Sequence, residues 1–343
     1  MLRIKGLAMA IQTEKRGRIH LIKPQKNTRS DHSARYPDKL IIAKVKTWSK
    51  ALRIELLSVI VTPVALSAVF LYYREIDINP VILILVMACA VLNYAGTMMI
   101  NEYNDFKNGL NRLDRLSVTG VLVKGLLPPS TLLKAGILFY LAGGILAFPL
   151  VIIRGFMLAG FALVAFLGGY FYTAEPLGFK YMALGDVVAS VFLGPLMMMG
   201  TAYAMTGEFY LFLIPASLPF ALLIAAIVHA NNMQYRCLFM HSWIKSIPML
   251  LGHSGSVYLY MAETVLPFII VLVLIMTHMF PATTLIVVFC CPSVFKAIRV
   301  IRSSKAGHSE GFERLVEMSG SIYVQFGILL AAGIFIDRVI SGF

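Results

Sequence analysis

The residues best equipped for chemistry fall in one short run, Asn101-Glu102-Tyr103-Asn104-Asp105-Phe106-Lys107-Asn108-Gly109, followed by Asp114-Arg115 and Lys124. Asn101 and Asp105 are four residues apart, so on a helix they share one face. Amide and carboxylate oxygens on one face, with Lys107, Arg115 and Lys124 close behind, suit a magnesium ion bridged to phosphate. Mg2+ takes one or two protein carboxylates and completes its octahedron with water and phosphate oxygens. Asn101, Asp105 and Asp114 are then the candidate metal ligands. The same run also suits a plain polar helix end, and spacing alone leaves both readings open.

The elements around this run are apolar. Of 343 residues, 59% are hydrophobic and only 14% charged, against roughly 45–50% and about 25% in soluble domains. With a mean hydropathy of +0.80, the chain reads as an all-α integral membrane protein rather than a soluble enzyme, a β-barrel or a disulfide scaffold. Nine spans are expected, near 53–73, 79–101, 132–153, 155–173, 185–205, 210–230, 256–278, 281–302 and 319–341, each close to the ~20 residues a bilayer core requires. Basic residues cluster after spans two, four, six and eight, while the other side holds Arg74, Arg154 and Arg338. By the positive-inside rule the N-terminus is cytoplasmic, in a multi-pass protein of the cell membrane. Glu263 falls inside span seven, where a carboxylate is a functional candidate by default. His229 and His253 flank the loop after span six as candidate acid/base groups. Met197-Met198-Met199 reads as soft packing.

Ten of the thirteen net positive charges lie in residues 1–50, which hold 13 Lys and Arg against three acids. Residues 1–45 are expected to form a loosely ordered basic tail that adheres to anionic lipid, ahead of a membrane domain at 46–343. No fold or repeat supports nucleic-acid binding. The cysteines have no CxxC spacing and read as packing residues.

The first motif resembles the first acidic motif of the UbiA-type intramembrane prenyltransferases, most like the 1,4-dihydroxy-2-naphthoate prenyltransferases of menaquinone synthesis. Gly168-Gly169-Tyr170-Phe171-Tyr172-Thr173-Ala174-Glu175-Pro176, then Lys180-Tyr181 and Leu184-Gly185-Asp186, is similar to that family's loop between spans four and five. Ala230-Asn231-Asn232-Met233 and Lys245-Ser246-Ile247-Pro248 resemble the frame of its second acidic motif. The resemblance implies transfer of a polyprenyl chain from its diphosphate to an aromatic acceptor with Mg2+ as cofactor. It also implies catalytic roles for Asp105, Lys107, Tyr172 and Lys180, the tyrosine and Lys180 on the acceptor side. Asn101, Asp114, Arg115, Lys124, Asn231, Asn232, Gln234, Arg236 and Lys245 would bind the diphosphate and its metal.

The departures from the family pattern are chemical. Asn111 stands where the family usually has Asp, and in the second motif the two Asp positions hold Tyr235 and Phe239, the Arg position Gln234 and the Gly position Trp243. With few carboxylates, two divalent ions would lack charge compensation. Arg236 and Lys245 would then supply part of the missing positive charge toward a phosphate. Two functions stay open: a prenyltransferase, or a non-catalytic relative that binds isoprenoid, quinone or a partner protein. A transporter is a distant third, since no inverted repeat is visible.

The tail generates the first prediction. A chain beginning at Ile41 is expected to fold in detergent but to lose affinity for phosphatidylserine vesicles, because each basic residue near such a surface contributes about 1 kcal/mol. Vesicle sedimentation checks the binding and circular dichroism the fold.

Overall fold

The computed structural model describes residues 37–109, 120–239, 244–304 and 309–341. The chain divides into two units, Met1–Val45 and Lys46–Phe343. Of the first, the described part is the opening of helix α1 (Pro37–Leu52), which runs on into the second. Among its described residues the second consists of helices joined by turns and loops, with one isolated bridge between Met182 and Lys245 and no strand.

Proline and asparagine set several of the helix starts. Asn79 caps α3 (Pro80–Lys107), its side chain accepting from the backbone N–H groups of Val81 and Ile82, with Pro80 in the first turn. Pro129 opens α4 (Pro129–Arg154) in the same way. A proline lacks the N–H that would be unsatisfied there anyway. A single residue, Gly155 at φ 75°, separates α4 from α5 (Phe156–Phe171), matching the one-residue gap between the expected spans 132–153 and 155–173. The remaining elements of the unit are α2 (Ser58–Tyr73), α6 (Gly185–Val191), α7 (Met197–Thr206), α8 (Leu213–Phe239), α9 (Ile247–Met276), α10 (Cys291–Ser303) and α11 (Ser309–Ser341).

Among the described residues, eight segments are long and apolar enough to cross a membrane, one of them α6 and α7 taken together. The remaining expected span, the fourth at 155–173, corresponds to α5, which has 16 residues and is about 24 Å long at 1.5 Å per residue. That is shorter than a bilayer core of about 30 Å, so the expected nine rests on this short helix. The eighth span also differs from the single helix expected: Ala282–Cys290 is a 3-10 helix, and α10 begins beyond it. Pro292 has no N–H to give to Val288, and β-branched residues crowd the preceding turn, so an α-helix does not run through.

Among the described residues, three clusters of buried residues form the core, the smallest around Ala51, Met99, Val121, Leu122 and Leu132. Of the two larger, one packs α2, α8, α9 and α11 around Phe220, Tyr260, Tyr323 and Phe326. The other joins α2, α3, α5 and α7 around Val64, Val86, Tyr94 and Tyr203. The outward stripe of α4, with Leu141, Ile145, Phe148 and Ile152 all exposed, suits lipid rather than water. Arg338 and Glu75, 2.7 Å apart, bring the end of α11 to the end of α2. Arg154 donates to the carbonyls of Ala204 and Met205, bringing the end of α4 to α7.

The α3–α4 contact depends on two glycines. A Cβ on Gly136 would stand 2.9 Å from Ile100 Cγ1, and one on Gly96 3.0 Å from the Gly136 carbonyl oxygen. Gly144 on the same helix faces open space within 4 Å. Gly136→Val is therefore expected to destabilise the fold by about 1–3 kcal/mol through overpacking, and Gly144→Ala to be neutral or mildly stabilising. Thermal unfolding of the detergent-solubilised variants, read side by side, checks both.

Candidate functional site

The site grows from the last turns of α3. Asn93, Thr97, Asn101 and Asp105 recur every four residues, and Asn101 and Asp105 are buried. A carboxylate in such a place must be paired or neutralised. Lys180 Nζ lies 2.5 Å from Asp105 Oδ2, and Tyr181 donates its hydroxyl hydrogen to Asp105 Oδ1 at 2.9 Å. Lys180 also donates to Asn101 Oδ1 at 3.3 Å. The pair is enclosed, with side-chain exposures of 10% for Lys180 and 7% for Asp105. Burial first, and then the Asp105 charge beside it, push the Tyr181 phenol well above its ordinary value.

Lys180 and Tyr181 reach Asp105 because their loop is tightly folded. Gly178, at φ 52°, starts the 3-10 turn Phe179–Tyr181, a left-handed conformation that costs glycine little. The Lys180 N–H donates to the Tyr172 carbonyl at 2.9 Å. The far side of the loop is held by the segment after α8: the Lys245 N–H donates to the Tyr181 carbonyl and the Ala183 N–H to the Lys245 carbonyl, both at 2.9 Å. The end of α3, the loop after α5 and the segment after α8 thus meet.

Beneath this junction lies a cavity of about 170 Å3. Arg53, Asn93, Thr97, Asn101, Tyr172, Lys180 and Asn231 are polar residues of its lining, while Val59, Ile60, Ile224 and Ile227 are among its apolar ones. Asp105 is not among the lining residues. Among the described residues, the lining therefore carries cations, amides and hydroxyls but no carboxylate, a set that favours an anion.

A second polar knot sits beside it. Asp186, in the first turn of α6, accepts from Asn232 Nδ2 at 2.6 Å and lies 3.3 Å from His229 Nδ1. His229 Nε2 is 3.2 Å from the Ser256 carbonyl oxygen, and the ring is fully buried.

The structure brings Asn101, Asp105, Tyr172, Lys180 and Asn231 together. Asn232 is turned to Asp186, and Gln234 is buried. The side chains of Lys107, Lys124 and Lys245 are exposed and do not line the cavity, nor does Arg236. What Lys245 adds at the junction is its backbone. Asp114, Arg115, Asn111 and Trp243 lie outside the described residues. Sequence reading did not single out Arg53, Asn93, Thr97 or Tyr181 as site residues. The four-residue repeat back from Asp105 was the available signal for Asn93 and Thr97, whereas nothing local pointed to Arg53.

The described residues do not by themselves make a divalent-metal site. Both Asp105 oxygens are engaged by Lys180 and Tyr181. Among the described residues, no three His, Cys, Asp or Glu side chains gather in a metal-holding group.

The family model described as the UbiA prenyltransferase family matches residues 60–315. The chain is 29% identical over 314 residues to mouse UbiA prenyltransferase domain-containing protein 1, covering 91% of this chain and 90% of that protein. It is 26% identical over 278 residues to the 1,4-dihydroxy-2-naphthoate octaprenyltransferase of Bacillus subtilis, covering 80% and 88%. A UbiA homolog from Archaeoglobus fulgidus, solved bound to GPP and Mg2+, superposes with a TM-score of 0.53 over 84% of this chain and 99% of that one, at 16% identity, a likeness of fold.

The buried pair sets the next prediction. Lys180→Met leaves the Asp105 charge buried without its cation and is expected to cost about 3–5 kcal/mol of stability, much of it recovered when Asp105→Asn is added. Chemical denaturation of the two single variants and the double variant completes the cycle.

Proposed function

We infer that this chain, which belongs to the UbiA prenyltransferase family, transfers a polyprenyl group from its diphosphate to an aromatic acceptor such as a naphthoate. The observation that carries this reading is the cavity's lining, which combines the cations Arg53 and Lys180 and the amides of Asn101 and Asn231 with a largely apolar set of side chains. Lys180 and Arg53 hold the diphosphate, and the amides of Asn101 and Asn231 donate to its oxygens. As the allylic C–O bond breaks, the electron pair leaves with the diphosphate, where fixed cations stabilise the developing charge. The apolar walls keep water from the allylic cation. A ring carbon of the acceptor forms the new C–C bond, and the displaced ring proton leaves to solvent or to the departing diphosphate.

Asp105 acts through Lys180, holding its ammonium at the cavity rim. Magnesium, where it binds with the diphosphate, would supply further positive charge to the leaving group. The protein's own contribution is the cationic rim. The second reading, a binding protein without turnover, draws on the cavity's lack of carboxylates and on the aromatic residues Tyr235 and Phe239 at the second motif's acid positions.

Product formation from a prenyl diphosphate and 1,4-dihydroxy-2-naphthoate, followed across a Mg2+ titration, tests the reading. Asp105→Asn and Lys180→Met are each expected to lower turnover by about two orders of magnitude, the scale of losing one charge-stabilising donor. Tyr235→Asp with Phe239→Asp is expected to raise the Mg2+ response, since added carboxylates compensate a divalent charge. No product from the parent, with product appearing in the double-acid variant, would favour the binding protein.

A further inference from the structure

Helix α10 is sharply two-faced. Val294, Ala297, Ile298 and Ile301 are buried in the core cluster around Phe220 and Tyr323. Pro292, Phe295, Lys296, Arg299, Arg302 and Ser303 are exposed. At about 100° per residue those six share one arc of about 120°. Half of this outward strip is cationic, and none of the three cations forms an ion pair with a carboxylate among the described residues.

The depth of the strip follows from helix geometry. The span containing α10 is Ala282–Ser303, and its first nine residues form the 3-10 helix. At about 2.0 Å per residue that helix rises about 18 Å. With Ala282 at the far boundary, a hydrocarbon core of about 30 Å leaves about 12 Å for α10, or about eight residues at 1.5 Å each. Counted from Cys291, they end at Ile298. Arg299 therefore stands where hydrocarbon gives way to headgroups, with Lys296 a turn inside and Arg302 a turn outside. A lipid-facing cation at that level is costly unless its long side chain reaches an anion.

We propose that this strip is a binding site for an acidic phospholipid. Its phosphate is held by Arg299 and Arg302, with Lys296 reaching up beside them, and its acyl chain lies on Phe295 and on Val288 and Phe289, both exposed just before α10. The order along the strip, apolar and then cationic, is that of a phospholipid's own chain and phosphate, which a free anion or an acidic peptide does not match. Two guanidinium groups a turn apart suit phosphate oxygens in particular. A zwitterionic lipid brings its own cation to the same place and gains less. None of these residues lines the small cavity, so the site stands independently of the transfer chemistry.

Contact quenching reads the site directly. The full chain carrying Phe295→Trp is reconstituted in phosphatidylcholine bilayers, and brominated phosphatidylserine is compared with brominated phosphatidylcholine as quencher. Bromine quenches only an indole close beside it, so lipid gathered by the basic tail is not counted. The signal of Trp48 and Trp243, measured in the parent, is subtracted.

The Phe295→Trp chain is expected to prefer phosphatidylserine by about tenfold or more, the scale of several cations beside an anionic headgroup. Adding Lys296→Gln, Arg299→Gln and Arg302→Gln together is expected to bring the ratio close to unity. Arg299→Gln or Arg302→Gln alone is expected to lower it in part, which keeps the test readable should the triple variant not fold. Arg314→Gln, which removes an exposed cation from α11, is expected to leave the ratio unchanged. No preference in the Phe295→Trp chain would overturn the site, and so would a preference that survives the triple substitution. Inorganic phosphate at constant ionic strength is expected to leave the preference intact. Its disappearance there would show a free-anion site and overturn the assignment to lipid.

Discussion

An ionised carboxylate set into an apolar helical unit costs several kcal/mol unless a cation and hydrogen-bond donors meet it. Asp105 imposes that condition at the end of α3, and the chain answers it with Lys180 and Tyr181 from a loop some seventy-five residues later. Because Lys180 must arrive with its ammonium at one carboxylate oxygen, the Phe179–Tyr181 turn has little freedom. The segment after α8 completes it with two backbone hydrogen bonds through Lys245. One buried charge thus ties the end of α3 to the loop after α5, which the segment after α8 holds in turn, beside a cavity that Lys180 lines.

The same pairing decides the electrostatics of that cavity. Asp105 is screened behind Lys180, so the cavity meets the cation and the amides rather than the acid. Asp186 is likewise spent inside the protein, on Asn232 and His229. Glu263, on α9, is buried with Oε2 lacking a hydrogen-bond partner. The acids of this region serve packing and orientation, and what faces the cavity attracts anions. That distribution fits the sequence's loss of acids at the second motif. A site with fewer carboxylates to hold divalent ions depends more on fixed cations.

Apolar packing and chemistry share the same helices without conflict because they use different faces and depths. The inner faces of α2, α8, α9 and α11 form the tight core around Phe220 and Tyr323. The α3–α4–α5 side is looser and holds a second, larger cavity. The π turn at Phe192–Leu196 is the seam between them. Close approach is confined to glycines such as Gly96 and Gly136, so the gap beside Gly144 belongs to the fold's shape rather than to a general lack of packing.

Hydropathy and charge alone identified the membrane class and put a span on each long apolar helix, because a long apolar run in lipid must satisfy its backbone internally and has little choice but a helix. The polar ends escaped them: α8 runs to Phe239 rather than 230, α9 begins at Ile247 rather than 256, and α11 at Ser309 rather than 319. The Asn101 and Asp105 pair was legible too, since helical spacing is a local property. The sequence motifs also named Lys180, Tyr172 and Asn231, but not what they touch. Only the tertiary structure decided that Lys180 neutralises Asp105, that Asn232 turns to Asp186, and that Lys245 works through its backbone while Lys107 and Lys124 stay exposed. Arg53 at the cavity and Phe192 in its wall carry no local signal at all. Their places depend on which distant helices pack together, and periodicity, which reports only a residue's own helix face, holds no information about the partner across it.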